Sequence, residues 1–274
     1  MALDPVLLVG LRAIGPYLDD VVVGGGWVPY LYSVYQPPAA AAVRLATRDI
    51  DVAVARSLAQ REKSLNQLLT EADFRCEFRS RGIPPVTLYV ASRGNEEIEI
   101  EFITSAQGPS EGVRTVQSGL TAQELRYVDL LLANKWSLPL DSLTDGELDG
   151  QVWVPNPGAF VLHKGLVYER RSDPLKKEKD LYYIFYVLDG FGVWHEWIRS
   201  DMARLAKSAP RWFRRCRSDL EAAFATPESP GVDAILNQRP GTAYPGLDDD
   251  QFRQYGWTVM QDLLEMMRGA MATD

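Results

Sequence analysis

Apolar and polar positions follow two rhythms along this chain. Up to about residue 156, short apolar runs alternate with polar residues at every second position, the spacing of half-buried strands. Beyond it, apolar residues recur every three to four positions, the spacing of amphipathic helices. In detail, the pattern predicts a helix over residues 5–18, a strand at 21–23, a glycine turn and a second helix, with QPPAAAA (36–42) as a loop. DIDVAVA reads as a strand, and SLAQREKSLNQLLTEAD as a helix opened by Ser57 as N-cap. FRCEFRS, VTLYVAS and EEIEIEFIT read as strands separated by turns at 82–85 and 93–95. LRYVDLLL and QVWVPNP read as extended. From Phe160 the predicted elements are helices: FVLHKGLVYERR, KKEKDLYYIFYVLDGF, VWHEWIRSDMARLAKSA and PRWFRRCRSDLEAAFA. A loop rich in Pro, Gly and Asp (226–250) precedes a last helix over 251–271. The expected class is α+β: a mixed-sheet core over residues 1–156, then a helical domain over 157–274.

Composition narrows this picture only a little. At 274 residues, with 46% hydrophobic and 24% charged side chains, the chain has the make-up of an ordinary globular protein with a substantial core. Two cysteines far apart, Cys76 and Cys216, suggest neither a zinc site nor a disulfide framework, and a reducing cytoplasm is the expected location. The N-terminal stretch has no basic leader and no apolar run is long enough to span a membrane, so no membrane partner is expected. The net charge of −8 argues against a nonspecific nucleic-acid coat. Its distribution is uneven, however: residues 157–217 hold 13 basic and 7 acidic side chains, and would attract an anionic ligand.

The chemistry-bearing residues lie in the first half. VVVGGGW places Gly24, Gly25 and Gly26 between a strand and a helix, so that backbone N–H groups could receive phosphate; a purely structural turn is an equal reading. In TRDIDVAV, period-2 geometry puts Asp49 and Asp51 on one strand face with Ile50 on the other. Two carboxylates so close repel, and either open water or a hard cation such as Mg²⁺ would relieve them. Glu97, Glu99 and Glu101 share a face of EEIEIEFIT, which reads for Glu97 as the wet face of an edge strand; Glu101 enters the most apolar part, which suits a metal ligand or proton acceptor. PRWFRRCRS is basic with interleaved aromatics. It reads as an amphipathic helix with Trp212, Phe213 and Cys216 inward, or as an RNA-facing surface.

The order of glycine turn, helix, D-x-D strand and acidic strand resembles the nucleotidyltransferase superfamily, of DNA polymerase beta-like fold. GGW at 25–27 and RLATRDID at 44–51 are similar to forms in aminoglycoside nucleotidyltransferases and in AbiEii/MenT-type toxins. VPNPGAFVLHKGLVYERR followed by KKEKDLYYIFYVL looks like the toxin branch, with Lys164, Arg170, Lys179 and Asp180 at the matching positions. The chain departs from that pattern at Tyr183, where many relatives carry Asp, and in using glutamate as the third acid. The resemblance implies transfer of a nucleoside monophosphate from an NTP to a tRNA end or a protein hydroxyl, with an antitoxin as a further partner. It also implies Mg²⁺ on Asp49, Asp51 and Glu101 (or Glu99), phosphates on Gly24, Gly25, Gly26, Arg48 and Lys164, and a site role for Asp180. Residue by residue, three bland readings stand beside these: Lys164 as a solvated helix lysine, Asp180 as the i,i+4 partner of Lys176, and Arg48, with Arg44, as a balance to the neighbouring carboxylates. A small-molecule acceptor and a catalytically silent nucleotide-binding module are the rival functions.

Overall fold

The computed structural model describes residues 3–39, 41–79, 84–94, 96–108, 111–144 and 146–271. It has the expected α+β character, and the chain forms two compact units: residues 1–35 with 46–156, and residues 36–45 with 157–274. The segment 36–45, which precedes the D-x-D strand in sequence, therefore belongs to the helical unit. There Ala39 N donates to Gly190 O at 2.8 Å, and Tyr182 donates its hydroxyl to Val43 O at 2.6 Å.

In the first unit, α1 (Pro5–Ala13) is capped by the Asp4 side chain and continues into a 3-10 turn at Gly15–Tyr17, so the predicted single helix is broken. Then come β1 (Val21–Val23), α2 (Trp27–Tyr35) and β2 (Asp49–Val54). Next is α3 (Leu65–Glu71), which starts seven residues later than Ser57 would set it. Its cap is Ser64, whose side chain and that of Gln67 close a reciprocal capping box. The preceding stretch has helix-favouring composition, but its backbone is claimed elsewhere: Leu58 N bonds Val116 O and Arg61 N bonds the Tyr17 hydroxyl. β3 (Arg75–Phe78), β4 (Thr87–Arg93) and β5 (Glu96–Ser105) follow as expected, while the turns expected at 82–85 and 93–95 lie partly outside the described residues.

The hairpin β6 (Val113–Gln117) and β7 (Leu120–Leu125) was not anticipated, although its Ser118–Gly119 connection, with Gly119 at φ +75°, is a common two-residue turn. LRYVDLLL, expected to be extended, instead carries α4 (Val128–Ala133); a short, mostly apolar run has no period that separates strand from helix. β8 (Lys135–Pro139), α5 (Leu140–Leu143) and β9 (Gln151–Pro155) complete the unit, β8 and β9 pairing as a separate ribbon.

Among the described residues the main sheet runs β1-β2-β5-β4-β3, and the long β5 also pairs with β7 beyond the end of β4. β2 and β5 are parallel, as are β5 and β7, whereas β1 pairs with β2 and β4 with β5 antiparallel. One face of the β2–β5 pair carries Ile50, Ile98, Ile100 and Phe102, all buried. Helix α1 lies on it so closely that a Cβ on Gly10 would meet Ile50 Cδ1 at 2.5 Å.

The helical unit comprises α6 (Pro157–Val167), α7 (Pro174–Gly190), α8 (His195–Ser208), α9 (Pro210–Ala223), α10 (Pro230–Gln238) and α11 (Asp249–Met271). α11 is the expected last helix, begun two residues earlier, while α10 corrects the expected loop over 226–250, inside which Pro230 begins a helix. Proline there fits a first helical turn, where its missing N–H costs nothing. Phe185 of α7 is ringed by Tyr244, Phe252 and Tyr255, at centroid distances of 5.6–6.3 Å. No helix among the described residues is long and apolar enough to cross a membrane, and Cys76 and Cys216 are both free thiols.

Candidate active site

Strand pairing sets the site. In the parallel register of β2 with β5, Asp49 lies opposite Glu99 and Asp51 opposite Glu101. Four carboxylates therefore stand in two facing pairs on the sheet face opposite α1. The same face continues to Ala53 and Ile103, which pack with Val22 and Val128 of α4 into a closed apolar cluster. The acids thus occupy the N-terminal half of the strand pair, and its C-terminal half is sealed by this cluster. Exposure follows this layout: Asp49 is exposed, whereas Asp51, Glu99 and Glu101 are half-buried. The side chain of Glu101, at 15% exposed against 26% for Glu99, lies deeper and faces Asp51, so it fits the third acidic position better.

The glycine turn abuts this face. Gly24 N donates to Asp51 O at 2.8 Å, extending the β1–β2 ladder by one bond. Gly25 sits at φ +60°, and a Cβ there would come within 1.9 Å of Asp51 Oδ2. Only glycine meets both the left-handed backbone and the close approach. The first turn of α2, with its unsatisfied N–H groups, begins two residues later, so an anion donor set and a carboxylate cluster lie side by side. Gly26 completes the turn and Arg48 is exposed immediately before β2.

Arg79 was missed by the sequence reading. Its guanidinium forms ion pairs with both Glu99 and Glu101. Its backbone N donates to Val86 O at 3.1 Å, continuing the β3–β4 hairpin by one residue. The alternation Arg75, Glu77, Arg79 puts it on the carboxylate face, and that period was the available signal.

Lys164 and Asp180 belong to the other unit, where neither bland reading holds. Lys164 is 5% exposed and Asp180 2%. Lys164 Nζ donates to Asp180 Oδ1 at 2.5 Å, and Arg171 Nε donates to Oδ2 at 2.8 Å. Arg171, which neighbours the Arg170 of the resemblance, reaches Asp180. Burial alone would raise the Asp180 carboxyl, but the charges of Lys164 and Arg171 outweigh it and hold the group below the usual carboxylate range. The ammonium of Lys164, expected on the phosphates, is thus engaged within its own unit. Tyr183, the departure from the toxin pattern, places its ring 5.1 Å from Lys164 Nζ, a cation–π contact in the position where an aspartate would have added a second charge.

Residues 7–193 match the model of a family described as Nucleotidyltransferase. The chain belongs to the nucleotidyltransferase family. In this nucleotidyltransferase the matched region runs from α1 into the 3-10 turn after α7, and includes the glycine turn, both acidic strands and the Lys164–Asp180 pair. No curated protein matches the chain. Among solved structures, the crystal structure of an antigenic nucleotidyltransferase-like protein from Paracoccidioides brasiliensis is similar at 14% identity, covering 79% of this chain and 95% of that one, with a TM-score of 0.38.

The donor chemistry of the carboxylate face fits Mg²⁺, which takes hard oxygen ligands and binds through one or two carboxylates plus phosphate oxygens. Among the described residues no three acidic, His or Cys side chains are already drawn together as a cage. Asp49 and Asp51 alone supply the one or two protein carboxylates that such an ion uses beside a triphosphate.

Proposed function

We propose that this chain transfers a nucleoside monophosphate from an NTP to a hydroxyl acceptor, releasing pyrophosphate, with Mg²⁺ held by Asp49 and Asp51. The observation that carries this reading is the register of Asp49 and Asp51 against Glu99 and Glu101 beside the Gly24–Gly26 turn. A bound divalent ion supplies Lewis-acid polarisation of the phosphate oxygens. The chain's own groups do the rest. The Gly24 N–H, expected on phosphate, is taken by Asp51 O, so the backbone N–H groups of Gly25, Gly26 and the first turn of α2 hold the triphosphate oxygens, and Arg48 adds a positive charge at the rim. Glu101 takes the acceptor's proton on a carboxylate oxygen as the acceptor oxygen bonds to the α-phosphorus. The bond from that phosphorus to the bridging oxygen breaks, and pyrophosphate leaves with the electron pair.

Within the family we favour a toxin-like enzyme acting on a tRNA end or a protein hydroxyl over a small-molecule enzyme. Lys164 and Asp180, which carry that resemblance, form one buried pair instead of two separate surface charges. Incubation with each α-labelled NTP, Mg²⁺ and either total RNA or cell lysate tests the reading. Label is expected to pass to a macromolecule with wild-type protein and not with Asp51→Asn. Equal transfer by the two proteins, or none by either, counts against it. Growth arrest on induction, relieved by Asp51→Asn, is expected of the toxin-like branch; resistance to an aminoglycoside without arrest would select the small-molecule alternative.

A further inference from the structure

Four like charges facing in pairs across a parallel strand pair destabilise a fold unless a cation offsets them. Arg79 supplies that cation to the glutamate half. One guanidinium reaches across β4 from the end of the β3–β4 hairpin to the carboxylates of Glu99 and Glu101, two positions apart on the same strand face. Its planar fork suits two carboxylate partners at once. The arrangement conflicts with the function proposed above, on which this inference rests. While Arg79 holds Glu101, that carboxylate is not free to bind a divalent ion or to meet the acceptor hydroxyl.

We propose that Arg79 is a built-in stand-in for the divalent cation, neutralising Glu99 and Glu101 in the metal-free protein and released from Glu101 when the ion binds. Exchange is feasible because the Arg79 side chain is 43% exposed whereas Glu101 is 15% exposed: the cation can swing into water while the acid stays in place. The guanidinium end of the pair is open to water, so the divalent ion with its doubled charge displaces it. Arg79 is therefore a positioning residue. It keeps the two glutamates aimed at the site without metal, and it sets the metal concentration at which the site switches on.

Mn²⁺ titration of the whole protein, followed by the electron paramagnetic resonance of free Mn²⁺, reads this directly. Asp51→Asn is expected to weaken binding at least tenfold. Arg79→Gln is expected to tighten binding several-fold, because the Arg79 guanidinium no longer competes for Glu99 and Glu101. The same variant should melt lower than wild type without metal and gain more from Mn²⁺. Arg79→Lys, a point charge without the fork, should fall between the two, and it serves in place of Arg79→Gln if that variant does not fold. Equal or weaker Mn²⁺ binding by Arg79→Gln, with Asp51→Asn still impaired, overturns the stand-in and leaves the metal site intact. Unchanged binding by Asp51→Asn overturns the metal site and the stand-in with it.

Discussion

At Gly25 a single methyl group would sit within 1.9 Å of Asp51 Oδ2, on a backbone at φ +60° that side chains resist. Gly25→Ala therefore pays about 1–2 kcal/mol for the left-handed backbone and in addition pushes the Asp51 carboxylate aside. The expected result is a modest fall in melting temperature together with a large loss of Mn²⁺ affinity; a stable variant with unaltered affinity would show that the turn and Asp51 act independently. Glu101→Gln keeps the shape of the side chain and removes a proton acceptor. Label transfer should drop by roughly 10²–10⁴-fold, with Mn²⁺ affinity less affected than in Asp51→Asn. A drop of less than a few-fold would move the acceptor's proton to another group, with Glu99 the first candidate. The acidic residues were legible in the sequence, because two aspartates or three glutamates at period 2 beside an all-apolar opposite face leave few alternatives. Arg79 was not: its partners lie two strands away in the sheet, and only the pairing of β3, β4 and β5 shows that one arginine among many faces them.

At the scale of elements, the acidic strand pair owes its position to two neighbours, α1 sealing one face and α4 sealing the far half of the other. The strands themselves could be read from their alternation. The course of 57–63 and the type of 125–132 could not, since backbone hydrogen bonds to Val116 and Tyr17 decide the first and a short apolar run leaves the second open. In the helical unit, α6 and α7 are joined by the buried Lys164–Asp180 pair and Arg171. Asp180→Asn leaves two cations without their counter-charge, and a loss of about 3–5 kcal/mol is expected on urea unfolding at neutral pH. Because the folded carboxyl titrates below its ordinary value, its contribution is complete above the usual carboxylate pKa, near 4, and is lost as the pH falls through the folded value. The stability gap between wild type and variant should therefore be constant from pH 7 to about 5 and narrow below about 4. A gap that persists unchanged at lower pH would show that the charge of Asp180 contributes little.

For the molecule as a whole, the change of rhythm near residue 156 marks where the sheet-bearing unit gives way to helices. Residues 36–45 depart from this order: they belong to the helical unit although the strands on either side of them, β1 and β2, pair in the other. Nothing in QPPAAAA announces this, for a loop of Pro and Ala states only that it is not a strand. The basic block at 157–217 was legible as a sum of charges, but its meaning was not, because Lys164 and Arg171 are turned inward onto Asp180. The claim on which everything else depends is that the face bearing Asp49, Asp51 and Glu101 binds a divalent ion beside the glycine turn. The most direct measurement is the anomalous scattering of Mn²⁺ in crystals soaked with Mn²⁺ and a non-hydrolysable nucleoside triphosphate. The account predicts a peak within coordination distance of carboxylate oxygens of both Asp49 and Asp51, with the phosphates on the N–H groups of Gly25, Gly26 and the first turn of α2. A nucleotide bound elsewhere, or a metal peak away from these two carboxylates, would contradict it.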